Sequence, residues 1–234
     1  MASATIESFK SFRRLGLFCS EPAPRDIRDT KDDARPVPRQ PALLLDVMDN
    51  LVHDPFYAEV LDFFEMSLEE LFAIKSKQAW VAFECGWLHE EQMRTRYFEG
   101  ERELDLEGLR ACMRANYRLL PGIEELLREL HAKGVEMHAL SNYPIWYRMI
   151  EEATGLSRWL EWSFVSCKTQ VRKPDARAFL GAAASLGRQP ADCVFVDDRE
   201  KNCAGARRQG MTAIDFRDAE QLRDELRALG YPLA

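Results

Sequence analysis

The sequence has no CxxC pair, no histidine cluster, no long apolar run and no excess of basic residues. Each absence removes a class of function. The six cysteines, at positions 19, 85, 112, 167, 193 and 203, are scattered without metal-ligand or disulfide-framework spacing, so all six are read as reduced thiols. Cys167 and Cys193 fall in strand-like apolar stretches, where a free cysteine serves as a small core residue. The four histidines are dispersed and make no zinc site. No apolar stretch approaches the roughly 20 residues of a membrane-spanning helix. Lys and Arg number 32 against 39 Asp and Glu, a net charge of -7, which argues against nucleic acid as the main partner. An anionic small substrate stays open, because a local site can oppose the global charge.

What is present is a pattern of strands and helices. The 234 residues suffice for one sizeable core, or a core with a small insertion. Residues 1–41 stand apart: MASATIESFKSFRRLGLFCS is rich in Ser and Arg and poor in acids, and EPAPRDIRDTKDDARPVPRQP carries prolines and mixed charge without apolar periodicity. The second half reads as a linker, the first as a segment like an organelle transit peptide, although a frayed helix fits its composition equally. From Ala42, ALLLDV reads as a strand buried on both faces. GIEELLRELHAKG places Ile123, Leu126, Leu127 and Leu130 on one helical face. VEMHALSN, WSFVSC, DCVFVDD and MTAIDF read as strands; PDARAFLGAAASLG, NCAGARRQG and AEQLRDELRALG read as helices. This alternation predicts an α/β fold with a Rossmann-like parallel sheet, residues 42–54 and 118–234. Residues 55–117 show no convincing strand and read as three helices, beginning at Ser67, near His89 and at Asp105. They are expected to form a small helical cap over the carboxyl edge of the sheet, where such folds bind ligands.

The polar residues fall at the predicted strand ends. Asp46 closes the first strand, Ser141 and Asn142 the second, and Asp197 and Asp198 the fourth; Lys173 lies in the loop after the third. Topology brings these loops to one edge, so a carboxylate nucleophile, carboxylates for Mg²⁺, a hydroxyl and amide for phosphate oxygens and a neutralising lysine would share one phosphoryl-transfer site.

The order Asp46, Ser141, Lys173, Asp197-Asp198, with VFVDDREKNCAGARRQGM and KPDARAF around the later members, resembles the four motifs of the haloacid dehalogenase superfamily from Ala42 to about Phe216. The helical insertion stands where that superfamily places its small cap. The resemblance implies a Mg²⁺-dependent phosphatase. Asp46 would form an aspartyl-phosphate, Ser141 would bind phosphoryl oxygens and Lys173 would balance charge. Asp198, Asp46 and the backbone carbonyl of Met48 would ligate the metal, and Asp197 would support the metal or pair with Lys173. Met48 is the departure, since the family's phosphatases usually carry there a second Asp that protonates the leaving oxygen and activates water, which a thioether cannot do. Asn50 replaces the usual Thr, and Asp49 occupies a place usually given to Gly. A dehalogenase or phosphonatase also tolerates a different residue at position 48, but the paired acids Asp197 and Asp198 favour a metal and a phosphate. LLLDVMDNLVHDPF, SNYPIWY and KPDARAF further resemble the plant plastid branch that hydrolyses flavin mononucleotide or related riboflavin-pathway phosphates. That resemblance implies a small phosphorylated substrate and a chloroplast location, with the cytoplasm as the alternative. Tyr143, Trp146 and Tyr147 could stack on the substrate ring or pack the cap on the core. His53 could supply the missing acid–base function or be a solvated hinge residue. The rival reading is a binding or regulatory protein on the same fold, weakened by Met48.

Overall fold

The computed structural model describes residues 40–234. The transit-like segment lies outside these residues. Five strands, β1 (Ala42–Leu45), β2 (Met137–Ser141), β3 (Glu161–Val165), β4 (Cys193–Asp197) and β5 (Thr212–Asp215), form one parallel sheet in the order β3-β2-β1-β4-β5. Strand alternation divides its core. Leu43 and Leu45 face one layer with Ile123, Ile150 and Leu222, whereas Leu44, Leu140 and Phe195 face the other with Phe179 and Cys203. Helices α6 (Ile123–Ala132), α7 (Tyr147–Thr154) and α11 (Ala219–Ala228) therefore cover the first face, and α9 (Ala176–Ser185) and α10 (Glu200–Arg208) the second. Asp175 and Asp218 cap α9 and α11, accepting from the N–H groups of Arg177 and Gln221.

Between β1 and α6 the chain is helical, as expected, but more broken. Its elements are α1 (Glu59–Phe64), α2 (Leu68–Ile74), α3 (Lys77–Glu84), α4 (Met93–Arg96) and α5 (Leu106–Asn116). The helix expected to run on from Ser67 stops at Lys75, because the Ser76 side chain accepts from the Ala79 N–H and restarts it as α3. Near His89 only a 3₁₀ turn and the four-residue α4 form. One further difference concerns a strand: Cys167 lies in the short helix α8 (Ser166–Thr169) beyond β3. The five described cysteines, 85, 112, 167, 193 and 203, are free thiols.

The insertion is bound to the sheet domain. Val60, Leu71, Phe83, Tyr97 and Leu106 belong to the same apolar cluster as Leu43 and Leu45. Ser166 donates its hydroxyl to the Glu84 carbonyl at 2.6 Å and accepts from the Tyr143 N–H at 3.0 Å. Beside this contact Gly86 has φ +71°, and a Cβ there would lie 2.5 Å from the Cys167 carbonyl oxygen, so both backbone conformation and space require glycine. No helix among the described residues is long and apolar enough to cross a membrane.

Candidate active site

The strand order reverses between β1 and β4, which opens a crevice at their carboxyl ends. Leu45 pairs with Val196, and the Asp46 N–H donates to the Val196 carbonyl at 2.9 Å, so Asp46 and Asp197 sit side by side. Lys173 enters from the loop before α9 and places Nζ 2.9 Å from Asp46 Oδ1 and 2.6 Å from Asp197 Oδ2. Its backbone is clamped by one side chain: Asn142 donates to the Lys173 carbonyl at 2.9 Å and accepts from its N–H at 2.8 Å. Asp197 also takes both oxygens of its carboxylate to the Asn202 amide, 2.9 Å each, and accepts the Arg199 N–H at 2.9 Å. Asp198 is more open, with Arg199 Nε 4.0 Å away.

Burial pushes the Asp46 carboxyl above its ordinary range, against the pull of Lys173. Burial and then the Asp197 charge do the same to Asp198. Oxygens of Asp46, Asp197 and Asp198 lie within 4.8 Å of one another. Three carboxylates around one ammonium leave uncompensated negative charge, and hard oxygen donors of this kind fit Mg²⁺. Because Asp197 is already filled by donors, Asp46 and Asp198 are the groups free to hold such an ion, with Met48 able to offer only its carbonyl.

Above this edge lies a cavity of about 550 Å³. Its walls carry six basic residues (Lys75, Lys77, Arg172, Lys173, Arg199 and Lys201) and three acids (Asp46, Asp54 and Glu84). A chain of net charge -7 thus presents a cationic interior, the arrangement that draws in an anion. The wall formed by the insertion is aromatic and encloses a lysine. Lys75 Nζ stands 4.4 Å from the Trp80 ring, 5.2 Å from Phe56 and 5.5 Å from Tyr97. Burial brings its pKa down to about 8, with Glu84 opposing the shift. Glu84 is held by Arg172 at 2.5 Å and by the Trp80 indole N–H at 2.7 Å.

A model of the haloacid dehalogenase-like hydrolases matches residues 53–210. The chain belongs to that family. It is 44% identical to flavin mononucleotide hydrolase 1, a chloroplast protein of Arabidopsis thaliana, over 190 residues covering 81% of this chain and 78% of the relative. It is 25% identical to a sesquiterpene phosphatase of Aspergillus oryzae, over 70% of this chain and 86% of that one. A solved haloacid dehalogenase family enzyme of Bacteroides thetaiotaomicron, crystallised with magnesium and inorganic phosphate, superposes with a TM-score of 0.63 at 18% identity, covering 78% of this chain and 98% of that one. The protein is accordingly an enzyme of the phosphatase type, in a family whose members generally use Mg²⁺.

Of the residues singled out in this hydrolase from sequence, Asp46, Met48, Ser141, Asn142, Tyr143 and Lys173 all line the cavity. Asp197 and Asp198 stand beside Asp46 at the edge. Trp146 and His53 are placed elsewhere. Trp146 is 2% exposed, packs on Phe83 and donates its indole N–H to Glu90, so it joins the insertion to the sheet domain. The His53 ring bonds Glu59 at 2.9 Å and does not line the cavity. Asp49 has φ 54°, the left-handed conformation that explains glycine at such a position and that Asp tolerates. Sequence reading did not single out Lys75, Glu84 or Asn202 for the site. Asn202 had a signal in its place four residues after Asp198; Lys75 and Glu84 had none, because only packing of α2 and α3 brings them together.

Proposed function

We propose that this hydrolase cleaves small phosphomonoesters with Mg²⁺ through an aspartyl-phosphate on Asp46, and that its substrate is flavin mononucleotide or a ribityl phosphate of riboflavin synthesis. The observation that carries the reading is the Asp46–Lys173–Asp197 cluster at the floor of a cationic cavity, with Asp198 beside it. Asp46 would attack phosphorus, Ser141 would receive phosphoryl oxygens at the end of β2, and Lys173 would hold the nucleophile in place while offsetting charge. Mg²⁺, held by Asp46, Asp198 and the Met48 carbonyl, would supply Lewis-acid polarisation of the phosphoryl group.

The substrate assignment is supported by the Arabidopsis relative and by the aromatic wall around Lys75, which suits a planar ring bearing carbonyl acceptors. Residues 55–117 act as the cap in this reading. A plastid location belongs to the same proposal, supported by the relative's chloroplast name and the Ser/Arg-rich residues 1–20.

The test offers flavin mononucleotide, a riboflavin-precursor phosphate and a nitrophenyl phosphate to the purified chain, with Mg²⁺ or with chelator. Phosphate release that needs the metal and prefers the flavin ester is expected. Ligand binding without release from any ester would favour the binding-protein alternative.

A further inference from the structure

Met48 cannot protonate a leaving oxygen, so that proton has to come from another wall of the cavity. Among the described residues, its acids are Asp46, Asp54 and Glu84. Asp46 is paired with Lys173, and Glu84 is held by Arg172 and Trp80. The Tyr143 hydroxyl, also on the wall, is bonded to Tyr117 at 2.7 Å, and burial holds its proton far more tightly than usual. Asp54 remains.

Its placement is built by the loop after β1. The chain doubles back on itself: the N–H groups of Leu51 and Val52 both donate to the Val47 carbonyl at 2.9 Å, and Asp49 N–H donates to Val52 at 2.8 Å. Asp49 Oδ1 then accepts the Asp54 N–H at 3.1 Å, while His53 N–H is pinned to the Arg118 carbonyl at 2.9 Å. This returns Asp54 to the cavity that Asp46 enters from below. Asp54 Oδ1 accepts the Phe56 N–H at 3.0 Å, and Oδ2 takes no hydrogen bond from the described residues. Asp49, His53, Arg199, Tyr117 and Tyr143 are the charged or titratable groups around it, and burial among them raises its pKa to about 6. A carboxyl near that value exchanges protons readily at neutral pH.

We propose that Asp54 is the general acid and base that replaces the missing one at position 48. In the first step an Asp46 oxygen bonds to phosphorus, the bond from phosphorus to the ester oxygen breaks, and that oxygen leaves as an alcohol with the Asp54 proton. In the second, the Asp54 carboxylate takes a proton from water as the water oxygen bonds to phosphorus. The bond from phosphorus to Asp46 breaks, phosphate departs, and both carboxyl groups return to their starting forms. This rests on the phosphatase reading above.

The experiment compares kcat/KM, which reports the first chemical step, for flavin mononucleotide and nitrophenyl phosphate in wild type, Asp54→Asn and Asp46→Asn. Asparagine keeps the oxygen that caps Phe56, and thermal melting no lower than that of wild type confirms the fold. Asp54→Asn should lose about 10²- to 10⁴-fold on the alkyl ester and far less on the nitrophenyl ester, whose good leaving group needs little protonation. It should also show a burst of nitrophenolate equal to the enzyme, as hydrolysis of the phosphoenzyme slows. An equal loss on both esters, or no loss on either, overturns the assignment. Phosphate release that survives Asp46→Asn would instead sink the nucleophile reading, and the split between esters still reports Asp54.

Discussion

The two walls of the cavity are built on different principles. On the sheet side, positions follow from strand register: Asp46 and Asp197 are neighbours because Leu45 and Val196 are paired, and every oxygen of Asp197 has a donor. On the insertion side, Lys75, Glu84, Trp80 and Phe56 come from short helices and turns, and their contacts are rings over an ammonium, the Trp80 indole bond to Glu84 and one ion pair to Arg172. A rigid electrostatic floor thus faces a wall that other side chains could replace without moving the backbone of the sheet. Under the proposed function, this difference would separate the chemistry from the choice of ester.

The largest expected effect falls on the floor. Asp46→Asn should remove turnover on every ester by about 10⁴-fold or more, as loss of a nucleophile does elsewhere, while chain melting stays near wild type. A preference among esters that changed with Asp46→Asn would contradict the separation. Lys173→Met comes next, because it leaves two buried carboxylates without their cation. Chemical denaturation without Mg²⁺ should show a loss of about 3–5 kcal/mol. Added Mg²⁺ should recover part of it by supplying positive charge.

The wall should respond differently. Lys75→Met keeps an unbranched chain under the three rings but removes the charge. About a tenfold rise in KM for flavin mononucleotide is expected, equivalent to about 1.4 kcal/mol, with nitrophenyl phosphate little changed. A fall in kcat on both esters would place Lys75 in the chemistry and break the comparison.

The smallest effect is on stability. The Asp54 carboxyl moves from 3.8 to about 6 on folding, so the folded state binds that proton more tightly. Its contribution to stability is fully present below pH 3.8 and is lost as pH rises through 6. Asp54→Asn has no such loss. It should match wild type near pH 3.8 and exceed it above pH 6, by about 1 kcal/mol since an open cavity weakens the burial cost. Denaturant titration at the two pH values measures the crossover.

Much of this was legible beforehand, and the reasons differ by residue. Asp46 and Asp197 were readable because each closes an apolar run that reads as a buried strand, and Lys173 because it stands in the loop after the third such run, at the head of KPDARAF. Trp146 was not, since an aromatic after a strand can face a ligand or a neighbouring helix, and here Phe83 and Glu90 claim it. His53 and Asp54 are adjacent in sequence, and nothing local says which of them returns to the cavity. The hydrogen bond from Asp54 N–H to Asp49 decides that, together with the bond from His53 to Glu59.

By itself the sequence determined the parallel sheet, the helical insertion and the identity of the groups on the floor. Period-2 and period-3.6 apolar patterns specify which faces leave water, and a parallel sheet then sends every strand end to one edge. Only the tertiary structure decided what surrounds those groups. It placed Lys75 under three rings from separate segments, filled Asp197 with donors while leaving Asp198 open, and turned Asp54 into the cavity and His53 toward Glu59. Those outcomes depend on contacts between residues far apart in the chain or on opposite sides of a tight turn, and no local periodicity encodes them.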